Sequence, residues 1–299
     1  MTPAVVVVGD VMTDVAVRSE HDLTRRLARG SDTAAAITIG GGGAGGNVAA
    51  WLAHLGIDVG LVAAVGGDAA GRLAIDDLER HGVALHAVRA ASRPTGTVIA
   101  FGDGTGERTM VTDRGANLAL SPGDLPVAWF RPGARLHLSG YTLFTDPPRA
   151  AGLAALRLAA SAGMGISVDP ASWAPLRQVG AAPFLDWTAA AGLCLPNADE
   201  ARLRAGCDDL DTAARRLGAH YGAAVVTAAA DGAVWSDGTD VLRTVASRRT
   251  DVRAGLGAGD AFTAGYLAAT CRGATVADAL AAGAATASQV LDRAGARPG

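Results

Sequence analysis

The chain has 299 residues, a length that suits one large α/β domain or two small ones. Hydrophobic residues make up 49% of it, which excludes an intrinsically disordered protein. The net charge of −3 gives no electrostatic reason to expect a nucleic-acid partner. No apolar run is long enough to cross a membrane, and no basic leader precedes the first apolar stretch. We therefore expect a cytoplasmic protein that binds neither nucleic acid nor membrane.

The sequence contains no lysine, so a phosphate-binding GxxxxGK[ST] loop and a Schiff-base lysine are both excluded. Its three cysteines, Cys194, Cys207 and Cys271, are widely spaced and odd in number. That pattern excludes a disulfide framework and a CxxC metal site, and it indicates buried structural thiols.

Strand-like and helix-like patterns alternate along most of the chain. The first apolar run, Ala4–Val8, is typical of a central parallel strand that is covered on both faces. It is followed by Asp10 and Asp14, two carboxylates at or just beyond the end of the strand, where open α/β sheets usually bind ligands. The later strands are predicted at 60–65, 136–139, 165–169, 194–196 and 223–227, and helices at 71–81, 150–162, 198–205 and 211–220. This order predicts an α/β fold with a parallel sheet and helices on both faces.

Two β-rich segments, about 15–39 and 90–113, interrupt the alternation. In the second segment, strand-like runs at 95–101 and 107–112 flank a glycine-rich stretch, which indicates a hairpin. No linker or internal repeat divides the sequence. We therefore predict one domain over residues 1–299, in which the two segments form a small separate sheet that covers the site as a lid.

Gly40–Gly46 contains six glycines in seven residues and is followed by a helical pattern that Gly56 ends. The run satisfies GxGxxG, but a dinucleotide site requires this motif directly after the first strand, and here that strand ends about thirty residues earlier. Two interpretations remain open. The run is either a tight turn that needs positive φ, or a place where backbone amides approach a polar ligand beside Asn47.

Asn197 follows a short predicted strand and precedes Glu200 by three residues. This spacing is a capping box, which explains both residues by helix structure alone. A functional interpretation explains them equally well, because an amide and a carboxylate at a strand end could hold Mg²⁺-bound water beside phosphates.

The stretch Ala254–Phe262 is rich in glycine, and the apolar residues after Asp260 recur at helical spacing. We therefore expect a helix to begin near Asp260, with free N–H groups and a positive dipole end that favour an anion such as phosphate. A carboxylate at that place could take the proton of a hydroxyl that attacks the phosphate. The alternative is that Asp260 is an ordinary N-cap behind a loop.

In four motifs the chain resembles the ribokinase-like (PfkB-type) carbohydrate kinases, and the likeness runs from Val5 to about Gly295. The motifs are Gly42–Ala49, the Arg-Gly-Ala-Asn segment Arg114–Asn117, the Asn-x-x-Glu segment Pro196–Ala201, and Gly257–Phe262. The resemblance implies a three-layer α/β parallel-sheet domain with a small β-sheet lid. Lids of this family commonly pair, so a homodimer through the lid is expected.

The resemblance also implies a role for each matching residue. Asp260 corresponds to the catalytic base, and the amides of Gly257, Ala258 and Gly259 to the anion hole for the transferred phosphoryl group. The positions that match substrate-binding residues are Asp14, Gly42, Gly43, Asn47, Arg114 and Asn117. Those that match nucleotide-binding residues are Asn197, Thr227, Gly232 and Ala284, and Glu200 matches the residue that holds Mg²⁺ through water.

Two departures from the family pattern are visible. Ala254 and Gly255 replace an Asp-Thr pair whose carboxylate helps to bind a monovalent cation, which puts potassium activation in doubt. Ala229 replaces the first glycine of the nucleotide-phosphate loop, where its methyl group is expected to crowd the nucleotide or shift the backbone.

The function expected from these features is transfer of the γ-phosphate of ATP, with Mg²⁺, to a hydroxyl of a sugar or sugar-like acceptor. A nucleoside kinase of the same fold is the nearest alternative, and Arg114, His21 and Tyr141 are candidate selectors of the acceptor. The other alternative is a catalytically impaired binding protein, suggested by the two departures. The retained Gly257–Asp260 segment argues against it, because a binder has no chemical use for a base beside an anion hole.

Overall fold

The computed structural model describes residues 2–18, 27–102, 108–245, 256–291 and 295–299. The strands are β1 (Val5–Val8), β2 (Met12–Arg18), β3 (Ala36–Gly42), β4 (Val59–Gly66), β5 (Ala84–Ala90), β6 (Gly96–Gly102), β7 (Arg108–Asp113), β8 (Arg135–Ser139), β9 (Gly165–Asp169), β10 (Leu193–Cys194), β11 (Ala224–Thr227), β12 (Ala233–Ser236) and β13 (Val241–Thr244). The α-helices are α1 (Ala44–His54), α2 (Ala69–Arg80), α3 (Pro148–Ser161), α4 (Trp173–Val179), α5 (Ala181–Trp187), α6 (Ala198–Ala205), α7 (Leu210–Tyr221), α8 (Ala258–Cys271) and α9 (Val276–Val290).

The larger sheet has the strand order β13-β12-β11-β10-β9-β8-β1-β4-β5. Its strands run parallel from β5 to β11, as predicted, whereas β12 and β13 pair antiparallel at one edge. Only the short turn 228–232 joins β11 to β12, too few residues for the crossover that a parallel pair requires. The sheet is therefore mixed rather than purely parallel.

Helices cover both faces of this sheet, and β1 shows why. Val5 and Val7 belong to a core shared with α1, α2, α8 and α9, whereas Val6 and Val8 belong to a second core shared with α3, α5, α6 and α7. Successive strand residues point to opposite faces, so four consecutive valines bury both sides. This arrangement confirms the three-layer α/β fold.

The smaller sheet, with strand order β3-β2-β6-β7, is separate from the larger one and confirms the predicted lid. Its limits differ from the expected segments. The first segment is longer than expected, since β2 begins at Met12 and β3 continues through Gly42. The second begins later, at Gly96, because the strand before it, Ala84–Ala90, belongs to the edge of the larger sheet. Gly40–Gly42 pair with β2 and are strand rather than turn, because the ladder from Met12 to Arg18 continues through them.

The register of the lid sheet gives its two faces different characters. One face carries a row of apolar side chains that are exposed or half-buried: Val15, Val17, Ile37, Ile39, Ile99, Phe101 and Val111. The opposite face carries Asp14 and Ala100, both buried. The face that carries Asp14 is therefore turned towards the protein, and the face with the apolar row is turned away from it.

Other expectations meet mixed outcomes. Helices α4, α5 and α9 and strands β12 and β13 lie outside the predicted elements. Cys194 is buried, but Cys207 and Cys271 are half-buried free thiols, so the prediction of buried thiols is correct for Cys194 alone. Among the helices that the structure describes, none combines the length and the apolar composition needed to span a bilayer.

Candidate active site

Several strands of the larger sheet end at the same edge, where their last residues open into a cleft of about 130 Å³. Asp169 ends β9 and Thr227 ends β11. The residues that line the cleft are Asp169, Ala171, Leu195, Asn197, Glu200, Thr227, Gly257, Gly259, Asp260 and Thr263. The cleft thus brings together residues from four segments at the carboxyl edge of a parallel sheet, the usual ligand edge of open α/β folds.

Helix α8 begins at this cleft. Its N-cap is Gly257, whose φ of 83° is left-handed and favours glycine. The first helical hydrogen bond runs from Ala261 N–H to Gly257 O at 2.9 Å, so the amides of Ala258, Gly259 and Asp260 precede the helical ladder. A Cβ at Gly259 would meet no atom within 4 Å, which shows that this turn borders open space. The arrangement is that of an anion site at a helix N-terminus.

Asp260 is held by Asn47 of α1, which lies 213 residues earlier. Asn47 Nδ2 donates to Asp260 Oδ2 at 2.8 Å, and this leaves Oδ1 for another donor. Burial raises the pKa of Asp260 well above its usual value, and the carboxylates of Asp169, Asp10 and Asp14 raise it further, against the lowering effect of the Asn47 bond. A carboxylate with a raised pKa is a stronger base near neutral pH.

Asp14 lies on the buried face of the lid, against the backbone of Gly42. A Cβ at Gly42 would overlap the Asp14 carboxylate, so the glycine is required by space. Burial raises the pKa of Asp14 to about 6, with Arg297 lowering it and Asp10 raising it. Gly43, with φ of 88°, is the N-cap of α1 and turns the chain from the lid into the helix that carries Asn47.

Arg114 lines a second, smaller cavity together with Asp10 and Tyr141. Its Nη1 donates to Asp10 Oδ2 at 3.1 Å, and its guanidinium carbon lies 4.3 Å from the centre of the Tyr141 ring. Asp10 also accepts from the amide of Gly45 at 3.2 Å. The charge of Arg114 is therefore balanced by a buried carboxylate.

Asn117 is buried, and its side chain is bonded to backbone. Its Oδ1 accepts from Val11 N–H at 3.0 Å, and its Nδ2 donates to Val11 O at 2.9 Å and to Arg114 O at 3.0 Å. These bonds fix the turn between β1 and β2. A contact between Asn117 and an acceptor stays a prediction.

The capping box predicted at the start of α6 is present. Glu200 N–H donates to Asn197 Oδ1 at 3.0 Å, while Asn197 N–H and Nδ2 donate to the two Glu200 carboxylate oxygens at 3.0 and 2.7 Å. Glu200 is 1% exposed, and burial raises its pKa to about 8, with the neighbouring Asp169 carboxylate as the next cause. Because the same two residues line the cleft, the capping role and the predicted role at the phosphates are compatible.

The turn that follows Thr227 contains the predicted nucleotide loop. Ala229 has φ of 47°, so it keeps the left-handed conformation that glycine would adopt there instead of shifting the backbone. Gly232, with φ of 85°, ends the turn, and its carbonyl accepts from Ala228 N–H at 2.8 Å. Ala284 lies in α9, and neither it nor Gly232 lines the cleft.

The sequence left several residues of the site without a role. Asp169 ends β9 just as Asp10 follows β1, so a carboxylate at a strand end was the available signal. Arg297, near the C-terminus, contacts Asn47 and Gly42 and had no local signal. Ala254, Gly255 and His21 lie outside the described residues, as does part of the hairpin between β6 and β7. Within the described ranges, no group of three or more His, Cys, Asp or Glu side chains is placed to hold a metal ion.

The chain is similar to known proteins over its length. The model of the pfkB family carbohydrate kinases matches residues 2–299. A fructokinase from Klebsiella pneumoniae is 34% identical over 76% of this chain and 76% of its own, and an ATP-dependent ribose-1-phosphate kinase from Halopiger xanaduensis is 32% identical over 76% of this chain and 72% of its own.

Solved structures agree with the fold. The adenosine kinase from Sinorhizobium meliloti superposes with a TM-score of 0.90 at 23% identity and covers 100% of this chain and 96% of its own. A probable sugar kinase from Rhizobium etli superposes with a TM-score of 0.89 at 26% identity and covers 99% and 95%. The family match, the sequence relatives and the cleft lead to one conclusion. The chain belongs to the pfkB family of carbohydrate kinases and is an ATP-dependent sugar kinase.

Proposed function

We propose that Asp260 is the base of this kinase and that the amides of Gly257, Ala258 and Gly259 hold the transferred phosphoryl group. The observation that carries the proposal is the place of Asp260 in the first turn of α8. There the carboxylate, anchored through one oxygen by Asn47, lines the same cleft as the open turn at Gly259. A base and an anion site within one helical turn are what phosphoryl transfer requires.

The step follows from this geometry. The acceptor hydroxyl donates to the free oxygen of Asp260, and its own oxygen attacks the γ-phosphorus of ATP. A new oxygen–phosphorus bond forms while the bond from the γ-phosphorus to the bridging oxygen of ADP breaks. The hydroxyl proton passes to Asp260, and the helix-end amides stabilise the charge on the transferred group.

The acceptor is proposed to bind between the lid and the start of α1. Asp14 accepts hydrogen bonds from its hydroxyls, and the backbone at Gly42 and Gly43 lies against it, with Asn47 beside the reacting end. Arg114 and Asn117 close the far wall. Since Arg114 is paired with Asp10, its role here is to shape the wall rather than to offer a free charge.

The nucleotide is proposed to bind at the end of the cleft lined by Asn197 and Thr227 and to extend beyond it towards Gly232 and Ala284. The donor set there suits Mg²⁺, which is commonly held by one or two carboxylates together with substrate phosphates and water. Glu200 would hold Mg²⁺ through water, beside Asp169 on the same cleft. The metal would neutralise phosphate charge during transfer. We expect activity to respond only weakly to a monovalent cation, because Ala254 and Gly255 replace the Asp-Thr pair.

The lid is proposed to exclude water from the reaction and to join two copies of the chain. Its outer face carries apolar side chains with large exposed fractions, among them Ile37 at 61%, Ile39 at 73% and Val111 at 59%. A contiguous apolar face of this kind marks an interaction surface. We expect a homodimer in which the two lids pack through these faces, in the cytoplasm.

The test is an ATP-consumption assay over free ketohexoses and pentoses, phosphorylated sugars, sugar acids and nucleosides. Turnover with a sugar supports the proposal, and the product's phosphorus NMR spectrum identifies the phosphorylated hydroxyl. Preference for a nucleoside would select the alternative kinase activity. If ATP and acceptors bind but no phosphorylated product forms, the chain is a binding protein and the catalytic proposal is wrong.

A further inference from the structure

Arg297, near the C-terminus, packs against the glycine-rich segment and contacts Asn47, the residue that holds Asp260. It is 8% exposed, and its guanidinium donates three hydrogen bonds. Nε reaches Asn47 Oδ1 at 3.4 Å, Nη2 reaches Gly42 O at 2.9 Å, and Nη1 reaches Asp77 Oδ2 at 2.5 Å. We propose that Arg297 is a positioning residue, which fixes the Asn47 amide and the Gly42 backbone and, through them, the base and the acceptor site.

The first part of the argument concerns the orientation of the Asn47 amide. A guanidinium only donates hydrogen bonds, and a carboxylate only accepts them. Asn47 lies between one group of each kind, so only one orientation satisfies both: Oδ1 towards Arg297 and Nδ2 towards Asp260. Arg297 therefore holds the amide in the same orientation that Asp260 requires, with Nδ2 towards the base.

The second part concerns the space that the guanidinium occupies. A Cβ at Gly46 would lie 2.6 Å from Arg297 Nη2, and a Cβ at Gly41 would overlap the same guanidinium. Two glycines of the run thus make room for a protein side chain and not for a ligand. The guanidinium lies in a closely fitted place between β3 and α1.

The third part concerns how Arg297 is anchored. Asp77 belongs to α2 and also meets Arg80 at 3.2 Å and His81 at 3.8 Å. The side chain of Arg80 is 75% exposed, whereas that of Arg297 is 5% exposed. Asp77 therefore links one arginine on the surface to another inside the site, and this pair of arginines supplies a matched control.

The fourth part concerns charge. Among the groups that the structure describes around Asp14, the Arg297 cation lowers the pKa of Asp14 and the Asp10 carboxylate raises it, while Asp14 in turn raises the pKa of Asp260. The cation opposes the effect of burial on Asp14 and favours the ionised form that binds hydroxyls. A lysine in place of Arg297 would keep this positive charge. It would lose the planar guanidinium, which donates to Asn47, Gly42 and Asp77 at once.

The kinetic test, which rests on the proposed kinase activity, compares Arg297→Gln with Arg80→Gln. We expect Arg297→Gln to lower kcat/KM for the acceptor by about 10–100-fold, since misplaced reacting groups lose about that much, with the KM for ATP within about twofold. Arg80→Gln should behave as the wild type. Arg297→Lys should recover the wild-type dependence of acceptor KM on pH between 6 and 8, but not the full kcat.

Asp77→Asn supplies a second route in case Arg297→Gln folds poorly. Asp77→Asn should also lower kcat/KM for the acceptor. The double variant Asp77→Asn/Arg297→Gln should have the same kcat/KM as Arg297→Gln alone, because the two residues act through the hydrogen bond between them. Equal kinetics for Arg297→Gln and Arg80→Gln would overturn the inference. The inference would also be overturned if Arg297→Gln lowered the melting temperature, the ATP affinity and the acceptor affinity together. Such a result would show that Arg297 only stabilises the fold.

A measurement without turnover separates this inference from the proposed function. Carboxyl ¹³C NMR of the ligand-free protein reports the titration of Asp14. Arg297→Gln should raise the pKa of Asp14, whereas Arg297→Lys and Arg80→Gln should leave it in place. If the wild type phosphorylates no acceptor while the Asp14 titration responds in this way, the proposed function fails and the effect of the Arg297 charge on Asp14 stands. An Asp14 titration that does not change in Arg297→Gln contradicts the charge part of the inference, whatever the activity.

Discussion

The two ends of the cleft are built in different ways. At the proposed acceptor end, the hydrogen bonds join residues that are far apart in the chain: Asn47 to Asp260 over 213 residues, and Arg297 to Asn47 and Gly42 over 250 and 255. At the proposed nucleotide end, Asn197 and Glu200 cap a single helix over three residues. The acceptor end therefore depends on how distant elements pack, whereas the nucleotide end depends mainly on local sequence.

This difference makes the two ends separable by experiment. Substitutions at the acceptor end should change kcat or acceptor binding and leave ATP affinity nearly unchanged, and those at the nucleotide end should do the reverse. The following variants test that separation.

The largest effect is expected for Asp260→Asn. The amide keeps the shape of the side chain and one oxygen that can accept from Asn47, but it cannot take the proton, so kcat should fall by about 10²–10⁴-fold with the KM for ATP nearly unchanged. Asp278→Asn is the control, because Asp278 occupies the same place in the first turn of the neighbouring helix α9. Steady-state kinetics with the preferred acceptor measure both. Full activity in Asp260→Asn would remove the proposed base.

The next effect is expected for Asp14→Asn. Loss of a charge-assisted hydrogen bond of about 1.5–3 kcal/mol should raise the acceptor KM by about 10–150-fold and leave the KM for ATP unchanged. Asp113→Asn, an exposed aspartate of the same lid sheet, should have no effect. An unchanged acceptor KM in Asp14→Asn would place the acceptor elsewhere.

Asp14 also predicts a dependence on pH. Its pKa is raised to about 6 in the folded protein, so acceptor binding should weaken as the pH falls through 6, and this dependence should be absent in Asp14→Asn. The stability of the fold depends on pH in the opposite direction to acceptor binding. Between pH 4 and 6 the folded state binds more protons at this group than the unfolded chain, so the free energy of unfolding decreases as the pH rises. Asp14→Asn should therefore raise the melting temperature at pH 8 but not at pH 4.

At the nucleotide end, Glu200→Gln should increase the Mg²⁺ concentration needed for half-maximal activity by about tenfold, the lower range for loss of a residue that orients a metal. The acceptor KM should not change. Asp199→Asn is the control, because Asp199 lies in the same helical turn with its side chain 70% exposed. If the acceptor KM rises in Glu200→Gln while the Mg²⁺ requirement stays the same, the two ends are not separable.

The smallest effect is expected for Ala229→Gly. The left-handed φ of 47° costs alanine about 1 kcal/mol. Glycine does not have this cost, so the substitution should increase the free energy of unfolding by part of that amount. Ala230→Gly in the same turn lacks positive φ and should destabilise the protein slightly instead. Urea unfolding measures both. A decrease in stability for Ala229→Gly would show that the alanine methyl group contributes more by packing than its conformation costs.

The sequence by itself was sufficient for features that depend on nearby residues. Four consecutive valines predicted a strand covered on both faces, and the structure places alternate valines in two cores. The spacing of Asn197 and Glu200 predicted a capping box that the structure contains. The helix at Asp260 begins where the glycines and the apolar spacing indicated, because caps and helical periodicity operate within one or two turns.

Tertiary structure decided the rest. The continuation of β3 through Gly42 depends on pairing with β2, and the antiparallel edge depends on a short turn after β11. The glycine-rich segment was open to two interpretations in the sequence. The structure shows that Gly42 makes room for Asp14 and that Gly46 makes room for Arg297, which lies about 250 residues further along the chain. Such contacts form only when the helices have packed on the sheet, so no local pattern could indicate them.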